Sequence, residues 1–481
     1  MNTSLLINGK DQAAAENRTY ERRDPVTGEV ATVAAAASAD DARKAAKAAG
    51  DAYGDWSRTS PSARRALLLK AADELEGMTD KITQIMIAET GATGPWAGFN
   101  CMLAAGMLRE AASMTTQITG EIIPANKPGT LAMAQRKSLG VCLGIAPWNA
   151  PIILGVRAVA MAIACGNTAI LKASELCPAT HLAIGEAFKA AGFPDGVMNV
   201  VTNAPEDAAD VVAALIAAPE VRHINFTGST NVGRIIAVKA AEQLKPVLLE
   251  LGGKAPMIIL EDADLEAAVN AAAFGAFMNQ GQICMSTERV IVHDGIADRF
   301  IEAFAKKANA LPAGNPRDQV VLGALVTPEA AEKMDKIIDD ATSKGGKVIA
   351  GGSRDGSIVK ATLIDDVTAD MLIYAEESFG PVKPIIRVPN DEEAIRVAND
   401  TAYGLSAAVF SRDIQRAMAV ADRIESGICH INGPTVGDEA QMPFGGVKDS
   451  GYGRFGGKAA VDAFTSLRWV TIEDPHQHYP F

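Results

Sequence analysis

The middle of the chain alternates short apolar runs with segments of helical periodicity. Runs rich in aliphatic and β-branched residues predict buried strands at 141–147, 167–174, 197–202, 223–228 and 246–251. Helical patterns predict helices between these strands, at 156–164, 179–191, 206–217 and from Thr230 onward. Apolar strands that alternate with helices are typical of a parallel sheet covered on both faces. The pattern therefore predicts an α/β fold.

Three further segments extend this prediction. A second α/β series begins after Gly252-Gly253, with a helix in DADLEAAVNAAAFGAF and strands in KVIAGG and ATLIDD. The Ala-rich stretch 34–49 predicts a helix. The segment SLRWVTIED lies beyond the last helical pattern, and we expect it to form a strand that pairs with another subunit.

The uncharged stretch 138–156 has the length of a bilayer span. It contains Pro147 and Pro151, which would break a lipid-exposed helix. We therefore predict a buried strand, a loop and the start of a helix. The first residues, MNTSLLINGK, contain an apolar run too short for the core of a signal peptide, so a cytoplasmic location is expected.

Composition and charge restrict the classes of partner. The chain has 481 residues, with 45 Lys and Arg against 58 Asp and Glu, and a net charge of −13. Because a single core stops growing at about 250–300 residues, two or more domains are expected. An acidic chain lacks the basic face that nucleic acids and anionic membranes require, so we expect neither as a partner. The six cysteines form no CxxC pair and the histidines have no metal-binding spacing, so no metal site is predicted.

The segment FTGSTNVGRIIAVKAA joins a predicted strand to a helix through Gly228, Ser229 and Gly233. It matches neither GxGxxG nor a P-loop. The free amides of a helix N-terminus nevertheless favour an anion such as a phosphate, and Gly228 allows a close backbone approach. An ordinary capped turn would explain the same residues. Upstream, Lys172 and Glu175 end another strand, where an acid can accept the ribose hydroxyls of a dinucleotide or simply pair with the lysine.

Three residues are candidates for covalent chemistry. Cys284 lies between a helical run and a strand, and it is either a nucleophile or a small buried hydrophobe. Glu250 ends an apolar strand, where desolvation would raise its pKa towards that of a general base; a capping or salt-bridged carboxylate is the alternative. Asn149, between two prolines in APWNAP, could donate to an oxyanion or serve only the turn.

These motifs together resemble the aldehyde dehydrogenase superfamily. APWNAP, LKASE, FTGSTNVG, LELGGKAP, GQIC, EESFGPV and PFGGVKDSGYGR occur in the order and spacing of that family, over essentially the whole chain. The resemblance implies an NAD-dependent, non-acylating oxidation of an aldehyde to an acid. Cys284 would form a thiohemiacetal, Asn149 and the Cys284 N–H would hold the oxyanion, and after hydride transfer Glu250 would activate the water that hydrolyses the thioester.

The resemblance also implies a cofactor site and a domain arrangement. Lys172 and Glu175 would hold the adenosine ribose, and Ser229 the pyrophosphate. The predicted NAD-binding residues are Trp148, Lys172, Glu175, Gly228, Ser229, Gly233, Glu377 and Phe379. The implied domains are a Rossmann-like NAD-binding domain (1–120 and 138–251), an α/β catalytic domain (252–460) and a small β oligomerisation arm (121–137 and 461–481). A homodimer or homotetramer is expected. The family usually has an acidic residue where this chain has Phe455, so a role carried at that position in relatives is not expected here.

The substrate class is predicted from two features: positions where this chain departs from the family pattern, and the similarity of two short segments to particular members of the family. Ala150 stands where many relatives have a bulky aromatic residue, which would widen the substrate tunnel. Arg157 is the one charge in an apolar segment, and it is either a cation for a polar substrate group or half of a structural ion pair. The segments WNAPIILGVRA and QICMSTERVIV are most similar to salicylaldehyde, vanillin and benzaldehyde dehydrogenases. We therefore expect an aromatic aldehyde, with salicylaldehyde as the best single prediction. The predicted apolar walls are Trp96, Ile283, Met285 and Phe444.

Two alternatives remain open at this point. Semialdehyde dehydrogenases resemble the same arrangement, with an arginine for a distal carboxylate. A cysteine hydrolase without redox chemistry would use Cys284 but would need no dinucleotide site, and NADH formation distinguishes the two classes.

Overall fold

A computed structural model describes the whole chain, Met1–Phe481. The helices are α1 (Ala39–Trp56), α2 (Pro61–Gly77), α3 (Thr79–Thr90), α4 (Gly94–Met114), α5 (Pro151–Ala164), α6 (Pro178–Ala190), α7 (Ala208–Ala217), α8 (Thr230–Glu242), α9 (Leu265–Phe277), α10 (Asp294–Asn309), α11 (Pro328–Ser343), α12 (Leu372–Ala375), α13 (Asp391–Asn399), α14 (Ile414–Ala421) and α15 (Gly457–Ala463). No helix is both long enough and apolar enough to cross a membrane.

The strands are short, as is usual where helices separate them. They are β1 (Asn2–Thr3), β2 (Leu5–Ile7), β3 (Lys10–Gln12), β4 (Thr19–Arg23), β5 (Val30–Ala35), β6 (Glu121–Ile123), β7 (Leu131–Ser138), β8 (Val141–Ile145), β9 (Thr168–Lys172), β10 (Met198–Val201), β11 (Val221–Thr227), β12 (Val247–Glu250), β13 (Pro256–Ile259), β14 (Arg289–His293), β15 (Lys347–Ala350), β16 (Arg354–Asp355), β17 (Ile358–Val359), β18 (Thr362–Asp365), β19 (Val382–Val388), β20 (Tyr403–Gly404), β21 (Ser406–Phe410), β22 (Ile428–Ile431), β23 (Val447–Lys448), β24 (Gly451–Tyr452) and β25 (Thr465–Ile472).

The first sheet has eight strands in the order β24-β12-β11-β8-β9-β10-β2-β3. Its centre, β8 to β12, is parallel, and the helices between these strands cover it. From β8 the chain moves outward through β9 and β10, and it then returns to the other side of β8 with β11 and β12. This reversal creates a switch point beside β8, where ligands bind at the carboxyl ends of parallel strands. The predicted α/β class is confirmed.

The second sheet has seven strands in the order β15-β18-β19-β14-β13-β21-β22, all parallel except β15. The chain crosses from the first sheet to the second over only five residues, 251–255, between β12 and β13. The strand β24 returns late in the chain and pairs with β12, so residues 451–452 extend the first sheet although they lie in the range predicted for the catalytic domain.

Helix α5 is buried along its whole length, which explains why its sequence is apolar on every side. It begins at Pro151, five positions before the predicted start at Val156. Proline at the first helical position is favourable because its fixed φ suits the helix and its missing N–H would be unpaired there. The prediction for 34–49 was wrong at its start: Ala34 and Ala35 end strand β5, and α1 begins only at Ala39, after the Ser38 cap.

A third sheet contains β25, β7 and β6. The terminal strand β25 pairs antiparallel with β7 of the same chain over eight residues, from Thr465 opposite Ser138 to Ile472 opposite Leu131. The expected pairing with another subunit stays a prediction, because β25 is the outermost strand of this sheet and its second edge is unpaired within the chain. Large apolar side chains remain exposed on β25, with Leu467 at 62% and Trp469 at 78%.

Candidate active site

The carboxyl edge of the first sheet brings together residues from separate loops. Trp148 and Asn149 follow β8, Ser229 caps helix α8 after β11, and Glu250 ends β12. These strands are neighbours in the sheet, so their carboxyl ends must meet at one edge. Segments that are separated by as many as 102 positions in the sequence, from Trp148 to Glu250, therefore face one cleft.

Cys284 comes from the second half of the chain. It lies in the loop between a short 3₁₀ helix, Met278–Gly281, and strand β14. The 3₁₀ turn holds Asn279 and Gln280 at positive φ of 47° and 56°, an unusual backbone conformation for side-chain-bearing residues. The Asn279 amide donates to the carbonyl oxygen of Asn149 at 2.9 Å, which ties this loop to the first sheet. The turn therefore fixes where the thiol lies.

Two cavities share Cys284, Asn149 and Leu154 in their walls. The first, of about 680 Å³, is also lined by Glu250 and by most of the predicted cofactor residues: Trp148, Gly228, Ser229, Glu377 and Phe379. The second, of about 650 Å³, is mainly apolar. A nucleophile at the junction of two cavities can contact a bound substrate on one side and a second reactant on the other.

Glu250 is fully buried, and neither of its carboxylate oxygens has a hydrogen-bond partner. Burial raises the pKa of Glu250 to about 7, and the Arg157 guanidinium opposes part of this rise. The alternative of a capping or salt-bridged carboxylate does not describe this group. An unpartnered carboxyl with a pKa near neutrality has the properties of a general base.

Burial also raises the pKa of the Cys284 thiol well above its ordinary value, and the nearby Glu250 carboxylate raises it further. The thiol is therefore protonated in the resting site. Because only the thiolate is a strong nucleophile, its proton must leave when the substrate binds. Glu250 lines the same cavity and is the nearest group suited to receive it.

Asn149 has one free donor beside the thiol. Its Nδ2 donates one hydrogen to the Gln282 carbonyl oxygen at 2.9 Å, and the second hydrogen remains available. The backbone carbonyl oxygen of Asn149 accepts from Trp96 Nε1 at 3.0 Å, which fixes the backbone at this position. The backbone N–H of Cys284 makes no hydrogen bond within the chain. These two donors match the predicted oxyanion site.

The glycines of the FTGSTNVG turn are explained by close packing. A side chain at Gly228 would lie 2.4 Å from the Phe226 ring, and one at Gly233 would lie 2.5 Å from Leu251. Ser229 Oγ accepts from the Val232 N–H at 3.4 Å as the cap of α8. Gly228 and Ser229 line the first cavity, as expected for a phosphate-binding turn, whereas Gly233 acts through packing.

Lys172 and Glu175 form an ion pair. Oε1 of Glu175 also accepts from Asn203 Nδ2 at 2.9 Å. Burial would raise the pKa of Glu175, but Lys172 and the hydrogen bonds together hold it below its usual value. The geometry is therefore compatible with both interpretations of this pair. Glu175 pairs with Lys172, and its carboxylate stays ionised and able to accept ribose hydroxyls.

Glu377 and Phe379 reach the first cavity from the loop before β19. Oε1 of Glu377 accepts from the Gly253 N–H at 2.9 Å, and burial raises the pKa of Glu377 to about 7. Phe379 has a positive φ of 50°, and its ring meets the edge of Trp148 at 5.7 Å between centroids. Three of the predicted cofactor residues, Trp148, Glu377 and Phe379, therefore lie together at the first cavity.

A buried charge cluster that the sequence reasoning missed holds this loop. Glu288 accepts from Lys254 at 2.8 Å and from Lys383 at 2.6 Å, and all three side chains are at most 1% exposed. Glu288 also accepts from the N–H and Oγ of Ser378, at 2.8 and 2.6 Å, while Lys254 donates to the Glu376 carbonyl oxygen at 2.5 Å. A signal was present for the two lysines, because each lies in an otherwise uncharged, largely apolar segment.

The second cavity contains every residue predicted for the substrate pocket. Its walls include Trp96, Ala150, Arg157, Ile283, Met285 and Phe444, together with further apolar side chains from α4, α5 and α9. Ala150 is small where a larger side chain would fill the space beside Asn149. The mainly apolar lining of this cavity suits an aromatic ring.

Arg157 is not a free cation. It forms an ion pair with Asp438, and its guanidinium lies 4.2 Å from the centroid of the Phe444 ring. The prediction of a cation that awaits a substrate group is corrected: a buried arginine needs a partner, and Asp438 supplies it. Nothing in the sequence around Asp438 distinguished it. Phe455, the departure from the family pattern, is buried and stands 6.0 Å from the same guanidinium.

Residues 12–470 of the chain match the aldehyde dehydrogenase family. The chain belongs to this family. A vanillin dehydrogenase of Pseudomonas sp. strain HR199 is 59% identical over 477 residues, which cover 99% of each chain. The predicted family and the predicted class of enzyme, an aldehyde dehydrogenase, are confirmed.

Solved structures of the family are closely similar. The crystal structure of a salicylaldehyde dehydrogenase from Pseudomonas putida G7, complexed with salicylaldehyde, has a TM-score of 0.98, 49% identity and 100% coverage of both chains. A betaine aldehyde dehydrogenase from Staphylococcus aureus in complex with NAD+ has a TM-score of 0.95 and 30% identity, and covers 99% of this chain and 95% of that one.

The first prediction concerns the thiol of this aldehyde dehydrogenase. Replacing Cys284 by Ala should lower aldehyde oxidation by about a thousandfold or more, because no other thiol lies in the site. Initial rates of NADH formation measure the loss, and fluorescence titration should show unchanged NAD binding. Cys142→Ala, in the core of the first sheet, is the matched control. Substantial turnover by Cys284→Ala would contradict covalent catalysis by this residue.

The second prediction concerns Glu250. Turnover should rise with pH through about 7, because below that pH the buried carboxyl carries a proton and cannot accept another. Glu250→Gln should remove this limb and lower steady turnover by about 10²–10⁴-fold. If a burst of NADH survives in rapid-mixing experiments, Glu250 serves the hydrolytic step. If the burst is lost, Glu250 chiefly takes the thiol proton.

Proposed function

We propose that the protein catalyses the NAD-dependent oxidation of an aromatic aldehyde to the corresponding carboxylic acid. The observation that carries this proposal is the junction of two cavities at Cys284. The apolar cavity, walled by Trp96, Ile283, Met285 and Phe444, suits an aromatic ring. The other cavity is lined by Glu250, the proposed base, and by five of the predicted cofactor residues. Similarity to vanillin and salicylaldehyde dehydrogenases supports the aromatic class.

The first half of the reaction forms a bond between the chain and its substrate. Cys284 Sγ attacks the carbonyl carbon as its proton leaves to Glu250 or to water. The carbonyl oxygen gains the negative charge, and the free hydrogen of the Asn149 amide and the Cys284 N–H donate to it. The product of this step is a tetrahedral thiohemiacetal, held with its ring in the apolar cavity.

The second half releases the acid. Loss of a hydride from the thiohemiacetal carbon leaves a thioester on Cys284. Glu250, after releasing to solvent any proton that it took from the thiol, accepts a proton from a water molecule as the water oxygen attacks the thioester carbon. The carbon–sulfur bond breaks, the acid leaves, and Cys284 regains its thiol. The retained carboxylate at position 250 favours hydrolysis over transfer to a second thiol.

NAD, when bound, supplies the acceptor for the hydride. The residues present fit this cofactor, because the first cavity combines a helix N-terminus at Ser229 with the aromatic pair Trp148 and Phe379. Glu377, anchored on the Gly253 N–H, is placed to accept hydroxyl groups. Glu175, at the carboxyl end of β9, is the candidate acid for the adenosine ribose.

The subunit arrangement remains part of the proposal. The third sheet leaves a strand edge and several large apolar side chains exposed, among them Ile122, Leu467 and Trp469. Exposed apolar patches of this kind mark protein interfaces. We propose that the arm joins copies of this chain into a homodimer or homotetramer.

The third prediction is a substrate order. Salicylaldehyde, vanillin and benzaldehyde should each have a kcat/KM about tenfold or more above that of propanal, because burial of the ring adds about 1.5–3 kcal/mol. Within the aromatic set, salicylaldehyde remains the best single prediction. NADH absorbance on mixing aldehyde and NAD measures the rates. Failure to form NADH from any aldehyde, together with hydrolysis of an aromatic ester, would favour the cysteine hydrolase.

Succinic semialdehyde tests the other alternative. The pairing of Arg157 with Asp438 leaves no free cation for a distal carboxylate, so its kcat/KM should fall below that of the aromatic substrates. A clear preference for succinic semialdehyde would transfer the assignment to the semialdehyde dehydrogenases.

The fourth prediction concerns the choice of cofactor. The ionised Glu175 should disfavour the 2′-phosphate of NADP by like-charge repulsion, which its partner Lys172 reduces. We expect kcat/KM to be higher with NAD than with NADP. Glu175→Gln should lower the ratio of these two values about fivefold. The ratio of kcat/KM for NAD to that for NADP measures it, with Glu175→Asp as the charge-retaining control. Equal efficiency with both cofactors in the unmodified enzyme would contradict this role.

A further inference from the structure

We propose that Asp438 is a specificity-determining residue that masks Arg157 and so excludes aldehydes carrying a carboxylate from the substrate cavity. The inference rests on the proposed function and concerns the charge of the substrate rather than its reaction. It assigns a role to a residue that no motif identified.

The pair lies inside the cavity that leads to the thiol. Arg157, Asp438 and Cys284 all line it, and the side chains of Arg157 and Asp438 are only 6% and 11% exposed. Every other wall that faces this space is apolar apart from Asn149. The Arg157–Asp438 pair is therefore the only charged feature that a substrate meets in this cavity, and the net charge of the pair is zero.

The guanidinium is held by more than the ion pair. Its plane lies over the Phe444 ring at 4.2 Å, and Phe455 stands 6.0 Å away. Asp438 Oδ2 accepts a hydrogen bond from Arg157 Nη2, at the edge of the guanidinium. To bind a substrate carboxylate, Arg157 would have to leave Asp438 as an unpaired buried charge, which is unfavourable in a cavity of low polarity.

Asp438 also adds a direct penalty against anions. A substrate carboxylate that approaches Arg157 would approach the Asp438 carboxylate as well, and like charges repel strongly where water is excluded. Its second oxygen, Oδ1, is buried without a hydrogen-bond partner. The pair can therefore accept a neutral donor such as a phenolic hydroxyl, but it has no capacity for a second anion.

The test compares substrates that differ in charge on one ring. The probes are benzaldehyde, 3-carboxybenzaldehyde and 4-carboxybenzaldehyde, and the measured quantity is the ratio of kcat/KM for each acid to that for benzaldehyde. In the unmodified enzyme both ratios should be about 0.1 or less. In Asp438→Asn, which keeps the size of the side chain and removes its charge, at least one ratio should rise about tenfold or more, mainly through KM.

Two controls separate masking from a general effect of charge. Glu439→Gln removes the same charge from the adjacent, exposed position, and its ratios should stay within about twofold of the parent, because exposed charges are screened. Arg157→Met combined with Asp438→Asn removes the unmasked cation, and the gain should disappear. A gain that persists in the double variant, or an equal gain in Glu439→Gln, would overturn the proposal.

A binding measurement supplements the kinetics. The unmasked Arg157 should lower the Tm of Asp438→Asn, and isophthalate or terephthalate should raise that Tm by more than it raises the Tm of the parent. If Asp438→Asn does not fold, the parent enzyme still decides: carboxybenzaldehydes oxidised as efficiently as benzaldehyde overturn the proposal. If no aromatic aldehyde is oxidised at all, the proposed function fails instead.

Discussion

The site depends on a close approach of two backbones where the chain crosses between its sheets. A side chain at Gly253 would lie 2.3 Å from the Cys284 carbonyl oxygen, and one at Gly252 would lie 2.9 Å from the Glu377 carboxylate. At Gly253 any side chain would collide with the backbone, so this contact requires glycine. It places Glu250, at the end of β12, close to the loop that carries Cys284 and the loop that carries Glu377, although these segments adjoin different sheets.

Buried charges next to the same crossover also hold it in position. Lys254 follows the glycine pair and reaches Glu288, which also holds Lys383 and Ser378. Burial lowers the pKa of Lys254 to about 8, whereas the two lysines hold the pKa of Glu288 well below its usual range despite its burial. Removing one member would leave an uncompensated charge in the interior, so the cluster specifies one position for the loop that carries Glu377 and Phe379.

Desolvation has opposite consequences at the two ends of the site. At Glu250 it leaves a carboxyl without a partner and brings its pKa close to neutrality, which suits proton transfer. At Arg157 it demands a partner, and the charge is neutralised by Asp438. The first case yields a reactive group, and the second yields a cavity that is polar at one point yet carries no net charge.

The sequence by itself determined the strands and helices around the first sheet, the order of the seven motifs, and the identity of Cys284, Glu250 and Asn149 as a set. The strands and helices rest on short-range properties, namely the alternation of apolar runs and turn chemistry. The set of three residues rests on the resemblance of the seven motifs to the aldehyde dehydrogenases. The sequence misplaced the starts of α1 and α5, and it did not find Glu288 or Asp438. Arg157 and Asp438 are 281 positions apart, and whether a buried charge is free or paired depends on which distant segment packs against it. Only the tertiary structure decides that, because a partner across the fold leaves no pattern in the sequence around either residue.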